Sequence, residues 1–153
     1  MLSMGRQLIW IDEVRSGMAR IFVGGPSQRV SVGLRIFGDD LEPDEITRLL
    51  DCDPTKAYRK GEILRNKLPA EHGGWHLKVD STDELEAVLA GLLETLPNDL
   101  AIWQELAERY QMDLFCGIWF EAERLNGGFG LSPDLMHALA ERDLTIGFDI
   151  YFV

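Results

Sequence analysis

LEPDEITRLLDCDPTKAY, Leu41 to Tyr58, and LSPDLMHALAERDLTIGF, Leu131 to Phe148, share the pattern L-x-P-D-x-(I/M)-x-x-L-x-x-x-D-x-T at identical spacing. The first copy reads as a helix start. Pro43 suits the first helical position, where its missing N–H costs nothing, and Asp44 and Glu45 lie at the positive end of the helix dipole. Ile46, Leu49 and Leu50 then form its apolar side. The second copy repeats the device with Pro133 and Asp134. Upstream, VGLRIF at Val32 lines up with CGIWFE at Cys116. Self-similarity of this kind predicts two strand-helix-strand halves, an internal duplication.

Working outward, four stretches alternate with the period of a half-buried strand. RVSVGLRIF sets Val30, Val32, Leu34 and Ile36 against Ser31, Gly33 and Arg35. GGWHLKVD sets Trp75, Leu77 and Val79 against His76 and Lys78. MDLFCGIWFE sets Met112, Leu114, Cys116, Ile118 and Phe120 against Phe115, Gly117 and Trp119. TIGFDIYF places Ile146, Phe148, Ile150 and Phe152 inward, with Asp149 and Tyr151 outward. Two helices join the halves. STDELEAVLAGLLETL opens on a Ser81 to Glu84 capping box and carries a leucine stripe. After Pro97 and Asn98, LAIWQELAERY continues with Leu100, Trp103, Leu106, Ala107 and Tyr110 on one side. These elements predict an α+β fold: a ferredoxin-like sandwich with a mostly antiparallel sheet and helices on one face.

Composition bounds what such a domain does. The chain has 153 residues, 46% hydrophobic and 27% charged, which suits one soluble domain with its own core. No apolar run approaches the roughly 18 residues that span a bilayer, and the short apolar stretch before Asp12 is too brief for a signal peptide. A cytoplasmic location is therefore expected, with Cys52 and Cys116 as free thiols. With 26 acidic against 15 basic residues, the formal net charge is −11. A nucleic-acid binder needs a clustered basic surplus, so nucleic acid is excluded as a partner, and an acidic surface repels anionic membranes. A basic protein is the partner that this charge favours.

Motifs of chemistry are sparse. NGGFGLSPDL, Asn126 to Leu135, lacks the last glycine of a dinucleotide fingerprint, whose place Pro133 takes, and it carries no phosphate-binding lysine. The glycines are expected to form a flexible surface turn. His72 and His76 form H-x3-H without companion ligands, so no metal is expected, and no cofactor either. His137 lies in a helix. Glu121 and Glu123 are a weak candidate acid and base pair. No residue is assigned as catalytic.

The segments GDDLEPDEITRLLDCDPTKAYRKGE, GGWHLKVDSTDELEAVLAGLLETL and LSPDLMHALAERDLTIGFDIYF together resemble the bacterial domain of unknown function family 4279 (DUF4279). The resemblance covers about Ser31 to Phe152. It rests on the helix start and turn from Pro43 to Thr55, on Tyr58 to Glu62, on Gly74 and Trp75, and on Asp149 and Tyr151. It implies a small cytoplasmic α+β domain with no established activity, some of whose relatives sit near toxin and immunity genes. Residues 1–28 form an N-terminal extension, either extra strands or the result of a start at Met18 rather than Met1, ahead of a single domain at 29–153.

Two surfaces qualify as binding candidates. The sheet face away from the helices would carry Arg35, Phe37, His76, Lys78, Phe115, Trp119, Asp149 and Tyr151, with room at Gly33, Gly117 and Gly147. Large exposed aromatic patches are rare on monomers, so a ligand, the N-terminal segments or a second subunit in a homodimer would cover it. The other candidate is the loop bearing Tyr58, Arg59 and Lys60, the densest basic cluster in the chain. The expected functions are, in order, a non-catalytic and immunity-like protein-binding module, a small-ligand sensor with a pocket beside Trp119 and Tyr151, and an enzyme.

Overall fold

The computed structural model describes residues 25–153 in full, and the backbone of residues 9–13 and 19–23. In chain order the elements are β1 (Ile9–Glu13), β2 (Ala19–Val23), β3 (Arg29–Gly38), α1 (Pro43–Leu50), β4 (Lys56–Tyr58), β5 (Gly73–Ser81), α2 (Leu85–Glu94), α3 (Leu100–Arg109), β6 (Gln111–Phe120), α4 (Pro133–Ala140) and β7 (Thr145–Phe152). β1 and β2 form an antiparallel pair of their own. The other strands form a five-stranded mixed sheet in the order β4-β5-β3-β6-β7.

Alternation places the core as the sequence predicts. Val30, Val32, Leu34 and Ile36 of β3 are fully buried, as are Trp75, Leu114, Cys116, Ile118 and Phe120 on the same face. The buried sides of α1, α2, α3 and α4 join them in one cluster, so the helices form a single layer on that face. Trp75 also ties α1 to β5, donating from Nε1 to Thr47 Oγ1 at 3.0 Å, which satisfies the one polar atom of a buried indole. The α2 start differs from expectation. Ser81 ends β5, its Oγ accepts from the Asp83 amide, and Glu84 at the N-cap makes no side-chain capping bond, so there is no capping box. Leu100 opens α3 at an exposed corner rather than in the core.

The two L-x-P-D units fold as equally long helices, Pro43–Leu50 and Pro133–Ala140. Each is followed by a strand parallel to the one before it. β6 and β7 are parallel neighbours. β4 is antiparallel to β5, which is antiparallel to β3, so β4 runs parallel to β3 with β5 between them. Here the ferredoxin-like expectation fails. In that arrangement a further strand splits both strand-helix-strand units, whereas this order splits only the first. The physical reason lies in the connections. Residues 59–72 turn the chain back after β4 and deliver β5 into the gap, while β3 pairs with β6 on the side away from β7 and leaves β6 and β7 as direct neighbours.

β7 is consequently an edge. Its inward positions have the predicted parity, but only Ile146 is even partly buried, and Phe148, Ile150 and Phe152 remain exposed although Phe152 touches the Phe120 ring. The glycine stretch before α4 is not slack. A Cβ on Gly127 would lie 2.3 Å from the Phe120 ring, so the backbone needs glycine there to press onto the sheet.

Candidate functional site

The strand registers set the outer face, opposite the helices, into rows that cross the sheet. Tyr58, Gly74, Phe37 and Gln111 form the first row, and Lys56, His76, Arg35, Asp113 and Thr145 the second. Lys78, Gly33, Phe115 and Gly147 form the third, followed by Asp80, Ser31, Gly117 and Asp149. Arg29, Trp119 and Tyr151 close the face. Five of the predicted site residues, Arg35, Tyr58, His76, Trp119 and Tyr151, are thus gathered on one surface.

They fall into two groups. In the first, Arg35 grips Asp113 through two parallel bonds, Nε to Oδ1 at 2.7 Å and Nη2 to Oδ2 at 2.5 Å. This bidentate bond raises the guanidinium pKa above its ordinary value. The same guanidinium lies 4.6 Å from the Phe115 ring centre. His76 meets Phe37 edge-on at 5.1 Å and contacts the Tyr58 hydroxyl through Nε2 at 3.2 Å. Burial, with Lys56 and Arg35 nearby, pushes the His76 pKa below 6.5, so its ring is neutral at physiological pH.

In the second group Trp119 and Tyr151 stack with centroids 4.9 Å apart, and the Arg29 guanidinium caps the indole at 3.9 Å. Cation, indole and phenol therefore form a three-layer stack whose outermost ring is exposed. Tyr151 donates to Asp149 at 3.2 Å, and this bond, with the nearby carboxylate, raises the phenol pKa. Gly117 does not leave the room expected of it. A Cβ there would meet Trp119 at 2.6 Å, so the indole itself fills that space. Gly33 and Gly147 do lie open beside Phe115, each at least 3.9 Å from any neighbour a Cβ would meet.

The basic loop is different from its reading in sequence. Arg59 reaches Glu42 at 2.8 Å, with Asp44 and Glu62 close by, and Lys60 reaches Asp39 at 2.7 Å. Local carboxylates neutralise both cations and staple the loop to the start of α1, away from Trp119 and Tyr151. Further along the same loop, Arg65 and Lys67 have no ion-pair partner among the described residues, and Ile63 and Leu68 beside them are exposed. Nothing in the local sequence separates these cations from Arg59 and Lys60, since the pairing depends on the fold.

Three depressions open near the far end of the sheet from Trp119. One of about 610 Å³ is lined by Phe37, Asp39, His72, Arg109, Tyr110 and Gln111. One of about 430 Å³ includes Phe37, Gln111, Asp113 and Thr145, and one of about 390 Å³ includes Gln104, Tyr110 and Asp143. None of the three includes Trp119 or Tyr151. His72 meets Asp39 at 2.5 Å, and Lys60 and His72 together lower the Asp39 pKa. Glu121 is held ionised by Arg124, 2.9 Å away, which unsuits it to donate a proton. Burial pushes the Cys116 thiol up to about 12, so it is not a nucleophile at neutral pH. Among the described residues no cluster of His, Cys, Asp and Glu could hold a metal ion, and no helix is long and apolar enough to cross a membrane.

The described residues thus form an α+β domain with one helical layer and, opposite it, an aromatic and charged sheet face. It matches the family described as Domain of unknown function (DUF4279) over residues 28–153, and the chain belongs to that family. No curated protein matches it, and no solved structure does.

Proposed function

We propose that this protein is a bacterial, cytoplasmic, non-catalytic protein-binding module, immunity-protein-like, whose acidic helical layer meets a basic partner. One observation carries the reading: the division of charge between the two faces. The helices bear Asp44, Glu45, Glu86, Glu94, Glu105, Glu108 and Asp134 against only Arg48 and Arg109. On the outer sheet face the cations Arg29, Arg35, Lys56 and Lys78 instead outnumber Asp80, Asp113 and Asp149. A chain of net charge −11 therefore concentrates its excess on the helical side and in the loops. Such a field steers a cationic protein and makes its association sensitive to salt. Pull-down at low and high salt with mass spectrometry tests this, and a basic protein released by salt is the expected result. The paired L-x-P-D units support reading the domain as an internal duplication.

A second reading has its own observation. The Arg29, Trp119 and Tyr151 stack, with open floor at Gly33 and Gly147, suits a planar ligand bound on the sheet face. Quenching of Trp119 fluorescence by one compound from a metabolite panel would favour it.

A further inference from the structure

The edge strand β7 carries one charge, Asp149, and otherwise lacks the devices that normally protect an open edge. Its eight residues, TIGFDIYF, include no proline and no lysine, and β6 is its only strand partner among the described residues. Ile150 is 49% exposed and Phe152 54%, both on the face that elsewhere forms the core. An apolar, unpaired edge of this length calls for an occupant.

The chain just before β3 indicates which one. Gly25 is buried and bridges Gly127 in parallel, and the Gly128 amide donates to the Gly25 carbonyl at 3.3 Å. Gly127 lies directly on the Phe120 ring, and Phe120 stacks on Phe152 at 5.6 Å. The anchor of the N-terminal segment therefore sits on the helical side of the sheet, one ring away from the exposed part of β7. β2 ends at Val23, two residues from this anchor, a reach of about 7 Å. A tether this short gives a local concentration on the order of millimolar, which favours intramolecular docking over a second copy at ordinary protein concentrations. The strand sequences IWIDE and ARIFV supply apolar residues to match. A separate observation points the same way. Arg124 lies against Gly25, and its Nη1 is buried with no hydrogen-bond partner among the described residues, so an acceptor is wanted at the point where the segment arrives.

We infer that the β1–β2 hairpin folds back onto the free edge of β7 and covers Ile150 and Phe152, extending the sheet to seven strands. It would lie along the edge and the helical side, leaving the outer face with Trp119 and Tyr151 open. The expectation that the segments LIWIDEV and RIFVGG shield the outer face concerns side chains outside the described residues; under this inference they would cover β7 instead.

Amide hydrogen exchange on the full-length chain tests this, with molar mass read by light scattering. The β7 amides that point away from β6 should exchange at least about 100-fold slower than unprotected amides, in a monomer and at every concentration. An Ile21→Pro substitution, which removes a donor from β2, should speed those amides at least about tenfold while the β3 amides remain slow. The slow β3 amides show that the domain still folds. Unprotected edge amides in the unaltered chain would overturn the inference. Protection that rises with concentration alongside a dimer would also overturn it, because a second copy would then be the occupant.

Discussion

Arg35 and Asp113 show how a charged pair survives on a half-buried sheet face. Each side chain is about a third exposed, at 32% and 31%, and the bidentate geometry offsets their partial desolvation. Asp113→Asn should lower stability by about 1–2 kcal/mol in chemical denaturation, the range for a charge-assisted hydrogen bond discounted for solvent. Arg35→Lys should not restore the loss seen with Arg35→Ala, because an ammonium cannot make two parallel bonds. His76 adds a dependence on pH. Its pKa is lowered in the folded state, so its contribution is fully present above 6.5, where the unfolded imidazole is neutral as well. As pH falls below 6.5 the unfolded chain takes up the proton first, and the contribution is lost as pH falls through the folded value. Denaturation midpoints between pH 7 and pH 5 should therefore drop less in His76→Gln than in the unaltered chain.

At the scale of elements, the two related helices end differently although they begin alike. Asp51 caps α1 in the left-handed region at φ 48°, whereas α4 ends on Glu141 and the left-handed residue, Asp143 at φ 54°, comes later. Both aspartates carry backbone strain that glycine would relieve, so Asp51→Gly and Asp143→Gly should each raise stability by about 0.5 kcal/mol in thermal unfolding. Strands and helices were legible because periods of 2 and 3.6 are written in the chain: Val30 to Ile36 and Met112 to Phe120 could be assigned to a face without a structure. Which strands become neighbours was not legible. Alternation gives a strand's face but neither its partner nor its direction, so the insertion of β5 beside β3 and the edge position of β7 left no local mark. For the same reason Phe148, Ile150 and Phe152 read as core.

At the scale of the whole molecule, the candidate site was legible in part. The outer-face residues followed from strand parity, and Trp119 and Tyr151 meet because their strands are neighbours in register. Lys60 and Arg59 misled because Asp39 and Glu42, which neutralise them, lie far away in sequence and close only in space. The separation of an acidic helical side from a more cationic sheet face was equally hidden, since it arises only when four helices settle on one side of the sheet. The most direct measurement compares the proteins retained by three forms of the chain at low and high salt: unaltered, Glu105→Lys/Glu108→Lys, and Trp119→Ala. The account predicts a basic partner that is held at low salt, released at high salt, lost with the charge reversal and kept by Trp119→Ala. A partner indifferent to salt and to the charge reversal, and lost instead with Trp119→Ala, would contradict it.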